Sequence, residues 1–236
     1  MYYIGIDLGT SAVKLLLMEE SGKICNIVSR EYPLFFPHPG WSEQKPEDWF
    51  AQSMEGMKEL TKDIDSTQVA GIGFGGQMHG LVMLDKSGAV LRKSIIWCDQ
   101  RTEKECEQIT SLVGAERLIS ITANPALTGF TASKILWVRN HEPHIYEKCA
   151  HILLPKDYVR YRLTGEFATE VSDASGMQLL DVPGRKWSDE VLSKLQIDKS
   201  LLGTVYESPE ITGRITKEAA ELTKVPEGTP VAGGAG

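Results

Sequence analysis

The chain opens with apolar runs that predict three consecutive strands. Apolar residues dominate 2–8, a turn of small residues covers 9–11, and a second apolar run fills 12–18. A Ser-Gly turn at 21–22 leads into a third run over 24–32. Apolar runs of this length between tight turns are typical of strands. We therefore predict an antiparallel meander at the N-terminus.

A helical period follows the meander. Apolar residues from Trp49 to Ile64 recur at helical spacing, and Pro46 is well suited to the first turn, so we predict an amphipathic helix over 46–64 with its aromatics and methionines in the core. Strand 69–74 is expected to lie parallel beside the first strand. Further strands are predicted at 81–85, 94–97, 151–154, 211–215 and 230–232, and further helices at 102–112, 115–123, 131–141, 157–163, 187–195 and 216–223.

Composition narrows the class of protein. The 236 residues are 42% hydrophobic and 24% charged, which is typical of a globular chain with a sizeable core. A net charge of −7 argues against a general nucleic-acid or membrane-surface binder. The sequence has no run long enough to cross a bilayer and no signal-type segment. The four cysteines form no C-x-x-C, so we expect reduced, mostly buried thiols in a cytoplasmic protein.

The first hairpin carries the first candidate chemistry. Asp7 ends the first strand, and Gly9, Thr10 and Ser11 form the turn that follows. A glycine turn with hydroxyls and backbone N–H groups can cradle a phosphate. Asp7 is placed to hold a hydrated Mg²⁺ ion, which prefers carboxylate and water oxygens. The alternative is an ordinary hairpin with a surface aspartate.

The glycines Gly71, Gly73 and Gly76 spell a G-x-G-x-x-G after a strand. The dinucleotide-binding motif of that form requires a helix that opens at the last glycine. Here a loop and a period-2 apolar run follow instead, so we predict no nicotinamide site.

Two loops that follow strands offer polar side chains for a ligand. Gln77, Met78 and His79 provide an amide, an apolar contact and an imidazole that suit polyol hydroxyls. A loop histidine without a task is the alternative. Asp99 pairs with Arg101 in one interpretation and binds sugar hydroxyls in the other.

One helix start completes the set of candidates. Lys134 lies in the first turn of the predicted helix 131–141. It either contacts an anion near that N-terminus or belongs to a solvated helix face.

These residues belong to a set of motifs that resembles those of a known family. The motifs that carry the resemblance are Ile4-Gly5-Ile6-Asp7-Leu8-Gly9-Thr10-Ser11, Trp41-Ser42-Glu43-Gln44, Gln77-Met78-His79-Gly80, Trp97-Cys98-Asp99-Gln100-Arg101, Gly129-Phe130-Thr131-Ala132-Ser133-Lys134-Ile135-Leu136-Trp137-Val138-Arg139-Asn140-His141, Leu154-Pro155-Lys156-Asp157-Tyr158, Leu163-Thr164-Gly165-Glu166, Ser172-Asp173-Ala174-Ser175-Gly176 and Val231-Ala232-Gly233-Gly234-Ala235-Gly236. The chain resembles the FGGY carbohydrate kinases over its whole length. Gln77-Met78-His79-Gly80 favours the members that act on D-xylulose.

The resemblance implies a fold and a reaction. The fold is α/β, ribonuclease H-like (actin-like ATPase), with a mixed five-stranded core sheet, flanking helices and insertions. The reaction is transfer of the ATP γ-phosphoryl group to D-xylulose, which gives D-xylulose 5-phosphate. Asp7 would act in catalysis and hold Mg²⁺, directly or through water. Gly9, Thr10 and Ser11 would bind the nucleotide phosphate, and Gln77, Met78, His79 and Asp99 would bind the sugar.

The resemblance also implies a second domain. Residues 1–236 correspond to the sugar-binding N-terminal domain, without the nucleotide-binding C-terminal domain. In the family an aspartate acting as base follows the final glycine-rich stretch, whereas this sequence stops at Gly236. We therefore expect the chain alone to be an inactive fragment.

Several alternatives stay open. The nearest is another kinase of the family, acting on a different pentulose, gluconate or glycerol. A non-catalytic actin-like nucleotide-binding protein and a sugar-binding regulator are the others. The expected partners are a small sugar and ATP, with no nucleic acid and no membrane, and a homodimer stays open.

Overall fold

The computed structural model describes residues 1–236. Its strands are β1 (Tyr2–Leu8), β2 (Ala12–Glu19), β3 (Ile24–Glu31), β4 (Glu43–Gln44), β5 (Val69–Gly76), β6 (Val82–Leu84), β7 (Ser94–Ile95), β8 (His151–Leu153), β9 (Ala168–Glu170), β10 (Leu180–Asp181), β11 (Lys186–Trp187), β12 (Thr204–Tyr206), β13 (Ile211–Arg214) and β14 (Pro230–Ala232). Its helices are α1 (Pro46–Thr61), α2 (Glu103–Val113), α3 (Ala115–Thr122), α4 (Thr131–His141), α5 (Pro143–Tyr146), α6 (Pro155–Thr164), α7 (Val171–Ser175), α8 (Asp189–Leu195) and α9 (Lys217–Thr223).

A mixed sheet of six strands forms the centre, in the order β13-β14-β5-β1-β2-β3. The predicted meander is confirmed, because β2 pairs antiparallel with both β1 and β3. The predicted parallel pairing of β5 with β1 is also confirmed. The predicted count of five strands is wrong. The strand β13 pairs antiparallel with β14 and adds a sixth strand at the edge, and local apolar spacing does not report such a partner.

The insertions form small sheets of their own. Four two-stranded sheets pair β4 with β7, β6 with β8, β9 with β12, and β10 with β11. The predicted strand 81–85 therefore belongs to an insertion. The helix predicted at 187–195 begins at Asp189, because Lys186–Trp187 pairs with Leu180–Asp181 as a strand.

Two apolar cores support this architecture. One lies between the central sheet and α1, where Trp49 and Met57 are fully buried, as predicted for that helix. The helix packs closely on the sheet at Gly56, since an added Cβ there would stand 2.4 Å from Leu15 Cδ1. The second core lies under α2, α4 and α8. Burial at both places fixes the strands and leaves the carboxyl ends of β1 and β5 as the edge from which loops emerge.

The cysteines and the helices bear on two smaller predictions. All four cysteines are free, but Cys25 is exposed and the other three are half-buried, so the prediction of mostly buried thiols is wrong in degree. None of the nine helices combines the length and the apolar character needed to cross a membrane.

Candidate active site at the carboxyl edge of the sheet

Sheet register brings the hairpin turn and the 77–80 loop to one edge. Because β1 and β5 are parallel neighbours, Asp7 stands opposite Gly75 and Leu8 opposite Gly76. The turn follows β1 and the loop follows β5 at this same edge, and the backbone N–H of Gln77 donates to the Leu8 carbonyl at 2.7 Å. The predicted parallel pairing of the two strands thus brings the turn and the loop to a common edge. Such edges are where α/β sheets bind ligands.

The turn itself is tight and offers two amide donors. The Gly9 N–H donates to the carbonyls of Asp7 at 3.2 Å and Ala12 at 3.0 Å. A Cβ on residue 9 would stand 3.0 Å from the Ala12 oxygen, which accounts for glycine there. The N–H groups of Thr10 and Ser11 donate to no acceptor within the chain. Two adjacent amides of this kind suit an anion.

Two glutamines hold the turn from behind. Gln44 Nε2 donates to the Thr10 carbonyl at 2.7 Å, and Gln77 Nε2 donates to Gln44 Oε1 at 2.9 Å. Gln77 is only 5% exposed, and its Oε1 is buried without a hydrogen-bond partner. Gln77 therefore links the loop to the turn and keeps one acceptor unused.

Two aromatic residues complete this support, and sequence reasoning gave them no role. Trp97 Nε1 donates to Thr10 Oγ1 at 2.9 Å, and the Tyr32 hydroxyl donates to the Gly9 carbonyl. Burial raises the pKa of Tyr32, and the nearby Asp7 carboxylate raises it further, so the hydroxyl stays a donor. The motif Trp97-Cys98-Asp99 was the signal available for Trp97, whereas no local pattern indicated Tyr32.

The backbone at His79 adopts a left-handed conformation, with φ of +66°. Its ring lies 4.4 Å from the Phe130 ring, between centroids, and its Nδ1 is buried without a partner. Burial and the Lys134 charge lower the pKa of His79 to about 4, so the imidazole is neutral near neutral pH. A neutral imidazole both donates and accepts. Met78 beside it is 38% exposed.

Asp99 is buried and paired. Its carboxylate accepts from Arg101 Nε at 2.9 Å and Nη2 at 2.7 Å, and from the Ser42 amide at 2.6 Å. The Arg101 guanidinium also stacks over Trp41, 3.7 Å from the ring centre. The ion-pair interpretation is confirmed, and the contact between Asp99 and a sugar stays a prediction.

Two sequence interpretations at other positions have clear outcomes. Gly71, Gly73 and Gly76 all lie within β5, and a loop follows it rather than a helix, as predicted. Both readings of Lys134 are wrong, because its side chain is fully buried and bonds to backbone carbonyls.

A buried charge cluster lies behind the site, and sequence reasoning missed it. Lys156 Nζ lies 3.0 Å from Asp157, 3.2 Å from Glu170 and 3.1 Å from Asp173. Burial, reinforced by the charge of Asp157, raises the pKa of Asp173 to about 6 against the attraction of Lys156. The motifs around Lys156 and Asp173 were visible in the sequence, but nothing local indicated that they meet.

The comparisons with known proteins agree with this geometry. The family model described as "FGGY family of carbohydrate kinases, N-terminal domain" matches residues 2–236. The chain is similar to the xylulose kinase of Bacillus subtilis strain 168, with 44% identity over 99% of this chain and 47% of that protein. The chain spans about half the length of the curated relatives it matches.

Solved structures give the same result. The xylulose kinase structure from Rhodospirillum rubrum is similar with a TM-score of 0.95 and 29% identity, covering 100% of this chain and 49% of that chain. The gluconate kinase structure from Lactobacillus acidophilus is similar with a TM-score of 0.93 and 28% identity, covering 99% and 47%. These neighbours confirm the predicted actin-like fold. The chain belongs to the FGGY family of carbohydrate kinases, whose N-terminal domain it matches along its length.

Proposed function

We propose that residues 1–236 are the sugar-binding domain of a kinase that transfers the ATP γ-phosphoryl group to D-xylulose, giving D-xylulose 5-phosphate. The observation that carries the proposal is the shared edge, where a turn with two unused amides adjoins a loop with a neutral imidazole. The relatives named xylulose kinase support the choice of sugar.

The turn is the proposed phosphate side of the site. Phosphoryl transfer depends mainly on positioning and charge stabilisation. The N–H groups of Thr10 and Ser11 would donate to the transferring phosphoryl oxygens. Gln44 and Trp97 would keep those amides in place, since both bond to Thr10.

Asp7 fits a magnesium ion held largely by water and phosphate. Its side chain is exposed beside the turn, and the chain has no group of three or more His, Cys, Asp or Glu able to enclose a metal. Mg²⁺ is usually bound through one or two carboxylates together with waters and substrate phosphates. When bound, the ion would neutralise phosphate charge, and Asp7 would orient it.

The 77–79 loop is the proposed sugar side. The neutral ring of His79 would exchange hydrogen bonds with sugar hydroxyls, and Met78 would cover an apolar edge of the sugar. Gln77 would support the sugar side from beneath, since its side chain is only 5% exposed and its Nε2 bonds to Gln44. Closure of a second domain over this edge would exclude water, which competes as phosphoryl acceptor.

The test of this assignment is Asp7→Asn in a full-length protein that carries this domain. We expect turnover to fall by about 10²- to 10⁴-fold because the metal loses its carboxylate. Affinity for D-xylulose, measured by calorimetry, should stay within about threefold, because the change leaves the 77–79 loop intact. The exposed Asp63→Asn is the matched control. Wild-type turnover in Asp7→Asn would contradict the assignment.

Another sugar of the family is the second candidate. The gluconate kinase structure overlays this chain nearly as well as the Rhodospirillum xylulose kinase does. A coupled assay of ATP consumption over D-xylulose, D-ribulose, gluconate and glycerol separates these substrates. Sugar binding without ATP consumption would favour a regulator instead.

A further inference from the structure

Lys134 is buried in α4, and the hydrogen bonds of its ammonium group go to backbone oxygens. Its side chain has no exposed surface, and it forms no salt bridge. Its Nζ donates to the His79 carbonyl at 2.9 Å and to the Gly129 carbonyl at 2.7 Å. One ammonium group thus joins the loop that carries His79 to the loop that precedes α4.

A buried lysine at this position destabilises the fold. Burying an ammonium without a carboxylate partner is unfavourable, and burial lowers the pKa of Lys134 to about 7 despite the attraction of Asp99. The benefit of the ammonium must therefore lie in the two carbonyls that it holds.

The segment 130–134 fixes His79 at two points. The His79 carbonyl accepts from both Lys134 and Thr131 Oγ1, the latter at 3.1 Å. The ring is confined between Phe130 and Gly176, where an added Cβ would come within 2.2 Å of it. A left-handed non-glycine residue persists only when its surroundings hold it, and these contacts supply that hold.

The same contacts continue to the phosphate turn. A Cβ on Gly129 would stand 3.0 Å from the Trp97 carbonyl oxygen, so the loop that Lys134 holds packs directly on Trp97. The Trp97 indole in turn bonds to Thr10. Gln44 also holds Thr10, so displacement of the Gly129 loop should act mainly on the His79 side of the edge.

We infer that Lys134 is the positioning residue of the sugar site, which holds the His79 loop and the Gly129 loop at the spacing that a sugar requires. This inference rests on the proposed function, because it assigns the held loop to sugar binding. The residue acts through the backbone and touches no substrate.

The test compares Lys134→Met with wild type in the full-length protein. Methionine keeps the apolar stem and removes both donated bonds. We expect affinity for D-xylulose to weaken by about 10- to 100-fold, as misplaced binding groups typically cause. KM for the sugar should rise by a similar factor while KM for ATP stays within about twofold. Amide hydrogen exchange should accelerate at 78–80 and 128–131.

Lys194→Met is the matched control. Lys194 Nζ also donates to a backbone carbonyl, that of Val113 at 3.3 Å, in a contact between α8 and the end of α2. The substitution removes this lysine–carbonyl bond together with the ion pair of Lys194 with Glu190 at 3.1 Å, and neither contact involves the His79 loop. Sugar affinity and exchange at 78–80 should equal those of wild type.

The outcomes separate the two proposals. Wild-type protein that binds none of the four sugars would overturn the proposed function and the inference together. Wild-type binding with unchanged affinity in Lys134→Met would overturn the inference alone. If Lys134→Met does not fold, Thr131→Val removes the other donor to the His79 carbonyl. That variant should weaken sugar binding by about threefold, and unchanged affinity would again overturn the inference.

Discussion

Two lysines in this domain are equally buried, but they differ in the groups that they contact and in the direction of their pKa shift. Lys134 and Lys156 are 0% and 1% exposed. Lys156 is surrounded by the carboxylates of Asp157, Glu170 and Asp173, whereas Lys134 meets only carbonyl oxygens. Burial opposes the charge at both sites. The carboxylates nevertheless raise the pKa of Lys156, and the pKa of Lys134 falls to about 7.

The difference shows that the partner, rather than the depth of burial, decides what a buried cation does. Lys156 is the common cation of three buried carboxylates, of which only Asp157 has a second partner in Arg160, so its role is in stability. Lys134 neutralises nothing and serves as a hydrogen-bond donor between two loops. Even with Arg160 beside Asp157, the Lys156 cluster keeps one negative charge in excess. That excess is consistent with the raised pKa of Asp173.

The largest expected effect is from Lys156→Met. The variant leaves three buried carboxylates without their common partner, and breaking a buried ion pair in this way costs about 3–5 kcal/mol. The free energy of unfolding from urea titration should fall by that amount. Lys58→Met is the control, since the Lys58 ion pair with Glu55 is exposed and the urea midpoint should stay close to wild type. A loss below about 1 kcal/mol in Lys156→Met would contradict the role in charge balance.

The next effect is the pH dependence caused by Asp173. Its pKa is about 6 in the folded protein and 3.8 in its ordinary state. The folded protein therefore binds this proton more tightly than the unfolded chain, and stability falls as pH rises from about 4 to 6.

The variant Asp173→Asn removes that proton equilibrium. The free energy of unfolding of Asp173→Asn minus that of wild type should be about 2–3 kcal/mol larger at pH 7 than at pH 4, since one pKa unit corresponds to about 1.4 kcal/mol. Urea unfolding at several pH values measures this difference, and Asp63→Asn should show no such trend. A constant difference would mean that Asp173 titrates normally.

The smallest effect concerns Lys134 and has the opposite sign. Its pKa is about 7 when folded, against 10.5 ordinarily, so above pH 7 the unfolded chain binds a proton that the folded protein releases. The stability of the wild type should therefore rise with pH. Its free energy of unfolding minus that of Lys134→Met should increase by about 1 kcal/mol from pH 6.5 to 8. The charged and titratable groups that act on Lys134 are Asp99, Arg101, Cys98 and Cys106, and burial raises the pKa of the Cys106 thiol. A flat difference would indicate an unperturbed ammonium.

Much of the fold followed from local pattern alone. The period of the apolar residues gave the meander β1 to β3, the buried face of α1 and the parallel strand β5. The predicted parallel pairing of β5 with β1 implies that the turn at Gly9 and the loop at His79 leave one edge, because the carboxyl ends of parallel neighbours meet there. These features depend on residues close in sequence or on the general geometry of parallel strands, which a single sequence carries.

The contacts of the Lys134 and Lys156 side chains depend on the tertiary structure alone. Lys134 bonds to a carbonyl 55 positions earlier in the chain, and Lys156 meets carboxylates from β9 and α7. The pattern of apolar residues does not reveal these contacts, because a lysine in a predicted helix is expected to face solvent. Only a segment distant in sequence buries it. The edge position of β13 was undetermined for the same reason, since strand pairing depends on the partner rather than on the strand. The sequence thus determined which groups could act, and long-range packing determined which of them hold the others in place.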